Sequence, residues 1–315
     1  MSRQADAVPR EPYRPRDLQW KVFRGTDAIA RGLITRDNLR TAAWRRLLRD
    51  VYADARLDPD HLLACQAVAL AMPASAVIAG PSAAWLLGVE FAAEPTDDVH
   101  VLRPHGVTFD PSRGVRTHAA ALTREEITER QGLACTSPSR TVWDTACWLE
   151  LIHAVVIIDG LLAIGRVTAD ELALLVKAKR GVRGGRKLAR AVSLSDEGAR
   201  SPAESRIRVR LVLAGLPRPV TQYEIRVPGL VLHPDLAWPQ YKVALEYDGD
   251  YHRDPDVLHP DRRRLNLLTG AGWIMLYATS QRLRRDFGAL VREVETALRR
   301  RGWRAHAKVN TTSPT

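Results

Sequence analysis

Two β-rich runs, Val231 to Trp238 (VLHPDLAW) and Lys242 to Asp248 (KVALEYD), are separated by a Pro239-Gln240 turn, and their pairing constrains the fold more than any other segment. In a hairpin where Trp238 faces Val243, Asp235 falls opposite Glu246. Directly opposed residues have Cβ atoms about 5 Å apart, and like charges there are destabilising unless something cationic lies between them. The two-residue period puts Asp248 on the same face as Glu246. A structural strand rarely carries three clustered acids, and a divalent metal is the natural resolution. Oxygen-only ligands select Mg²⁺ or Mn²⁺ over Zn²⁺.

The neighbouring pattern builds a domain around that hairpin. Ser201-Pro202-Ala203-Glu204 opens a helix, with Ser201 as cap, Pro202 at the first position and Glu204 completing a capping box; Gly215 closes it. Gln222 to Val227 (QYEIRV) precedes the hairpin as a further strand. A helix around Asp261 to Leu268, the strand Trp273 to Thr279 and an amphipathic helix from Phe287 to Arg299 follow. The expected order is α-β-β-β-α-β-α.

This arrangement resembles the PD-(D/E)xK nuclease fold over about residues 201–300. Pro234-Asp235 supplies the PD, and Glu246-Tyr247-Asp248 stands where E-x-K is expected, without the lysine. The pattern is similar to an uncharacterised family related to the very-short-patch repair endonucleases. Its features occur here in order: Pro202-Ala203-Glu204, Asp235-Leu236-Ala237, Glu246-Tyr247-Asp248-Gly249, His252, Arg262-Arg263-Arg264 and Gly272-Trp273. The resemblance implies that Asp235 and Glu246 hold a metal that activates water on a phosphodiester. Asp248 would complete the ligand set or orient the water in place of the absent lysine. His252 would act as general acid or base or touch the leaving oxygen. Glu204 has two readings, a cap alone or a cap that also reaches the metal. Arg262 and Arg263 are the expected nucleic-acid contacts from the basic helix; consecutive helical residues point about 100° apart, so at most two of the three arginines face the site.

The front of the chain has its own pattern. Thr26 and Asp27 are expected to cap a short helix ended by Gly32, and Thr35 a second, basic helix through Arg36 and Arg40. The run WRRLLRDVYA reads as two strands around Arg49-Asp50, with Arg45 and Arg46 on the first. Two short helices and a basic hairpin describe a winged helix, which would put Arg36, Arg40, Arg45 and Arg46 on nucleic acid; a small helical cap with solvated arginines is the competing reading. The segment GLITRDNLRTAAWRRLLRDVYA resembles the start of AbiEi-type antitoxins, with Asp50 where that family usually has the glycine of the wing turn. SAAWLLGVE and CTSPSRTVWDTA resemble the same family's extension. That resemblance implies transcriptional autoregulation beside a toxin gene and leaves a toxin partner open.

Charge fits both resemblances. The 315 residues carry 47 Lys plus Arg against 36 Asp plus Glu, a net +11, with a pI near 10.0. Such an excess favours a polyanionic partner through counterion release. No apolar stretch follows the basic residues of the first segment, so residues 1–17 read as a flexible arm and the expected compartment is the cytoplasm. The apolar run Leu62 to Gly88 is interrupted by Gln66, Pro73, Ser75 and Pro81, which suits two buried helices better than a membrane span. Cys65, Cys135 and Cys147 lack metal spacing and read as buried or idle thiols; His100, His118 and His153 also lack ligand spacing.

The expected fold class is α+β multidomain. Its parts are a winged helix at 18–60, an α/β scaffold at 61–176, a basic glycine-rich linker at 177–200, a restriction-endonuclease-like αβββαβα domain at 201–304 and a disordered tail at 305–315. Two functions compete: a metal-dependent endonuclease acting on DNA rather than RNA, and an antitoxin-like DNA-binding regulator whose nuclease-like domain is inactive.

Overall fold

The computed structural model describes residues 12–109, 113–228, 230–248 and 267–305. The chain is a mixed α/β protein of two compact units, residues 1–148 and 149–315. The boundary falls inside the stretch expected as one scaffold. The first eleven residues of the arm and most of the tail lie outside the described residues.

In the first unit, β1 (Val22–Arg24), α1 (Gly25–Ala30), β2 (Trp44–Leu48) and β3 (Val51–Asp54) form an antiparallel sheet of order β1-β3-β2 with one short helix. Phe23 packs edge-on to Trp44 at 5.1 Å between ring centroids, over Leu18, Ala28 and Ile34. The second helix expected through Arg36 and Arg40 is only a single 3₁₀ turn, Asn38–Arg40. Its start is held by a reciprocal pair: the Asn38 N–H donates to Thr35 Oγ1 (3.2 Å) and the Thr35 N–H to Asn38 Oδ1 (2.8 Å). That local bonding competes with helix continuation.

Asp50 occupies the β2–β3 turn in the left-handed region, φ 58°, the conformation for which glycine is favoured. Its Oδ1 accepts from the Thr26 N–H (2.9 Å) and its Oδ2 from the Thr26 hydroxyl (2.6 Å), so the turn caps α1 from outside that helix. Gly25 allows the approach, because a Cβ there would lie 2.8 Å from Tyr52 and 3.1 Å from Asp50 Oδ1.

The run Leu62 to Gly88 forms α2 (His61–Ala71), β4 (Val77–Ile78) and α3 (Gly80–Leu86). Among the described residues no helix is long and apolar enough to cross a membrane. With β5 (Val99–Arg103), β6 (Val115–Ala119), β7 (Ile127–Arg130) and β8 (Leu133–Thr136), β4 makes a five-stranded sheet of order β6-β5-β4-β8-β7, followed by α4 (Pro138–Trp148). Cys65 and Cys135 are buried free thiols whose pKa values burial raises. His100 and His118 meet across β5 and β6, ring nitrogens 3.1 Å apart, with His118 stacked flat on Trp148 at 3.5 Å.

The second unit begins with α5 (Leu151–Ala163), α6 (Ala169–Ala178), α7 (Gly185–Leu194) and α8 (Pro202–Leu213). Residues 177–200 are therefore not an open linker: α7 buries Leu188, Ala191 and Leu194 at helical spacing. Arg208 of α8, fully buried, binds Asp159 of α5 at 2.6 Å; the Ser205 hydroxyl and the Asp196 N–H also donate to that carboxylate. Burial pushes the Asp159 carboxyl up to about 6 despite the guanidinium beside it.

Next come β9 (Val220–Thr221), the hairpin β10 (Ile225–Val227) and β11 (Leu230–Leu232), then β12 (Leu236–Trp238), β13 (Val243–Asp248) and β14 (Ile274–Thr279). The first expected strand is thus shortened to Ile225–Val227, the second is divided into β11 and β12, and β10–β11 stands as its own sheet. Pro234, which has no N–H for a ladder, lies in the break between β11 and β12. The main sheet has the order β14-β13-β12-β9, with β13 and β14 parallel. Of the helix expected at Asp261 to Leu268, only its end is described, residues 267–270 being helical. The chain closes with α9 (Ser280–Arg285) and α10 (Phe287–Arg300). One face of the sheet (Leu236, Trp238, Val243, Leu245, Leu276) packs on Ile207 and Leu211 of α8 and Leu290, Val294 and Leu298 of α10.

Candidate functional site

The β12–β13 register is Leu236 with Leu245, Ala237 with Ala244 and Trp238 with Val243. This is the pairing that the hydrophobic pattern predicts. Ala237 and Ala244 lie on the sheet face away from α8 and α10, in a smaller core with Leu232 and Leu268. By the two-residue alternation, Asp235, Glu246 and Asp248 belong to that second face, at its open end. All three are half-buried. In the parallel ladder Glu246 pairs with Tyr277 and Asp248 with Thr279, which brings a phenol and a hydroxyl residue to the same edge.

Asp235 is firmly held. Its Oδ2 accepts from the Tyr247 N–H at 2.8 Å, beyond the last β12–β13 ladder pair, Leu236 with Leu245. Its backbone oxygen accepts from the Gln222 N–H at 3.2 Å. Its Oδ1 lies 3.3 Å from Gln222 Nε2, and that amide also lies 3.3 Å from Glu204 Oε2. One side-chain amide therefore joins the carboxylate of the first helix to that of the strand. Gln222 reaches this position through a left-handed backbone, φ 49°. Sequence reasoning missed it, because nothing local in QYEIRV announces a residue that bridges two distant acids.

Ser201 caps α8, its Oγ accepting from the Glu204 N–H at 3.2 Å, but Glu204 does not complete a capping box: its Oε2 accepts from the Arg200 N–H at 3.0 Å. The return bond goes to the residue before the cap, not to the cap itself. Burial raises the Glu204 pKa and the nearby Asp235 charge adds to the rise, against the Arg200, Ser201 and Gln222 bonds.

These donors are hard oxygens of the kind Mg²⁺ and Mn²⁺ take. Among the described residues, however, no three His, Cys, Asp or Glu side chains gather closely enough to hold a metal ion. His252, Arg262 and Arg263 lie outside the described residues.

The expected contacts in the first unit divide into two groups. Arg36 and Arg40 are exposed, Arg40 lying 3.7 Å from an equally exposed Asp37. Arg45 is turned inward, donating to the backbone oxygens of Ala55 (3.1 Å) and Leu57 (3.3 Å), and Arg46 donates to Leu48 O (3.3 Å). A guanidinium holding two carbonyls is poorly placed to follow a phosphate chain, so Arg45 serves the hairpin.

The class that emerges is a mixed α/β protein whose second unit carries carboxylates at one end of a four-stranded mixed sheet. No family model and no solved structure matches the chain. Two curated relatives from Mycobacterium tuberculosis do: Uncharacterized protein Rv2248 (strain ATCC 25618 / H37Rv) and Uncharacterized protein MT2308 (strain CDC 1551 / Oshkosh). Each is 30% identical over 248 residues, which is 78% of this chain and 90% of the relative. The chain belongs to the family of these mycobacterial proteins.

Proposed function

We propose that the chain is a metal-dependent endonuclease that hydrolyses phosphodiester bonds in DNA, with the second unit as its PD-(D/E)xK-type nuclease domain. The observation that carries this reading is the strand register, which assigns Asp235, Glu246 and Asp248 to one end of one sheet face, with Glu204 tied to Asp235 through Gln222. Asp235 and Glu246 are the residues that would hold Mg²⁺ or Mn²⁺. When bound, the ion supplies an acidified water and offsets charge on the phosphate. The protein's own part is to fix Asp235 by three hydrogen bonds and to leave Tyr277, which is 41% exposed, beside the acids. The net charge of +11 supports a polyanionic substrate.

Plasmid cleavage with Mg²⁺ or Mn²⁺ tests the proposal, using the native chain beside Asp235→Asn and Glu246→Ala. Each variant is expected to lose activity by about 100-fold or more while its circular dichroism stays native. Metal-independent cleavage, or cleavage untouched by both changes, would overturn it.

The reading as an antitoxin-like DNA-binding regulator with an inactive nuclease-like domain is favoured by one observation, that Asp248 stands where the lysine of E-x-K is expected. Salt-sensitive binding to the protein's own promoter without any cleavage is its expected signature.

A further inference from the structure

Between Glu171 and Asp196 the chain has no acidic residue, and six exposed cations stand there: Lys177, Arg180, Arg183, Arg186, Lys187 and Arg190. Glycines in such a run suggest slack, but the geometry is tight. The Val182 N–H donates to Lys179 O (3.2 Å) and the Gly185 N–H to Val182 O (2.8 Å). Gly181 and Gly184 take φ of 79° and 99°, and a Cβ on Gly185 would come within 2.2 Å of the Lys179 carbonyl oxygen. Only glycine fits there, so the turn sets the spacing of the cations on either side of it.

The two helices present this charge outward. α7 spends its apolar face, Leu188, Ala191 and Leu194, on the core, which leaves Arg186 and Arg190, four residues apart, on the solvent side. Among the described residues, Arg180, Arg183, Arg186 and Arg190 have no ion pair or side-chain hydrogen bond. Four arginines with free guanidinium groups suit phosphate oxygens, which they can bind in bidentate fashion. A lipid surface would also want apolar side chains to insert; here the exposed large ones are Leu174 and Val182.

The element is also braced to the carboxylate end of its unit. Arg218 donates to Ser193 O at 2.8 Å and lies 3.3 Å from Asp196 Oδ2, and the Thr221 hydroxyl donates to Asp196 Oδ1 at 2.7 Å. The next residue is Gln222, which holds Asp235 and Glu204.

We infer that the α6–α7 helical hairpin is a sequence-independent docking surface for the phosphodiester backbone of a nucleic acid. This rests on the nucleic-acid part of the function proposed above and is independent of cutting. The test is fluorescence anisotropy of a labelled duplex DNA with the full chain over a range of salt. It compares the native protein with Arg183→Gln/Arg186→Gln/Arg190→Gln, with the matching triple Lys variant, and with Glu246→Gln. The Gln triple is expected to bind about 10-fold or more weakly at moderate salt, its log–log salt slope flattened by about 2 to 3, with an unchanged melting temperature. The Lys triple should retain the slope. Glu246→Gln should bind with the native slope while losing cleavage, so that failure of the nuclease reading leaves this one standing. Binding and slope unaltered in the Gln triple would overturn the inference, as would loss of binding to anionic vesicles alone with DNA binding intact.

Discussion

Asp50 combines two tasks that are usually given to different residues. It adopts the left-handed turn conformation and its carboxylate satisfies Thr26 at the start of α1. Replacing it separates the two. Asp50→Asn keeps both and should be nearly neutral. Asp50→Gly keeps the backbone and loses the cap, at about 1 kcal/mol. Asp50→Ala loses the cap and adds roughly 1 to 2 kcal/mol for the left-handed backbone. Urea unfolding should return that order, and an Ala variant as stable as the Asn variant would contradict it. Gln222 is the residue-scale counterpart in the second unit. Gln222→Ala removes the shared amide between Glu204 and Asp235, and cleavage is expected to fall about 10- to 100-fold with the fold intact. Neither role could be read from the chain alone. Asp50 stands where a glycine is usual, and the bridge at Gln222 depends on a backbone conformation rather than on spacing.

Elements defined by short-range pattern were legible. The Trp238 with Val243 register, the Ser201 cap and the amphipathic α10 follow from alternation, capping chemistry and helical period. Elements decided by tertiary contacts were not. Pro234 breaks a run that alternates well enough to pass as one strand, and the second basic helix collapses to one turn around the Thr35–Asn38 pair. α7 was hidden by its glycines, although Leu188, Ala191 and Leu194 carry the helical period. The α5–α8 contact is the element whose disruption should cost most. Asp159→Ala leaves the Arg208 guanidinium buried without its carboxylate, and a loss of about 3 to 5 kcal/mol is expected. The double change Asp159→Leu/Arg208→Met should recover much of that loss. Denaturant midpoints check both, and a double variant worse than the single would refute the argument.

On the scale of the whole molecule, the two units should respond to acid in opposite directions. Burial lowers the pKa of His100 and of His118 to about 4, so the stability that these neutral rings contribute is complete above pH 6.5 and is lost as pH falls toward 4. Asp159 in the second unit has its pKa raised to about 6, so its contribution is complete below the ordinary carboxylate value and is lost as pH rises through 6. Calorimetry at pH 7 and pH 4.5 is expected to show two transitions drawing apart, the first unit shifting downward by about 5 °C or more relative to the second. A common shift of both transitions would count against it. The charge that first pointed to a polyanion is likewise uneven: Arg45 is committed to backbone carbonyls, whereas the arginines of α6–α7 stand free in solvent.

The three bonds on Asp235 have a historical consequence. Its backbone oxygen and both carboxylate oxygens join Gln222 and Tyr247 to the start of β12, so this acid is a rivet of the sheet as well as a candidate ligand. Under the proposed nuclease reading, a descendant that lost cutting would still be held to Asp235 by these bonds. Under that reading an aspartate kept at this position reports an intact sheet and is not by itself a sign of working chemistry.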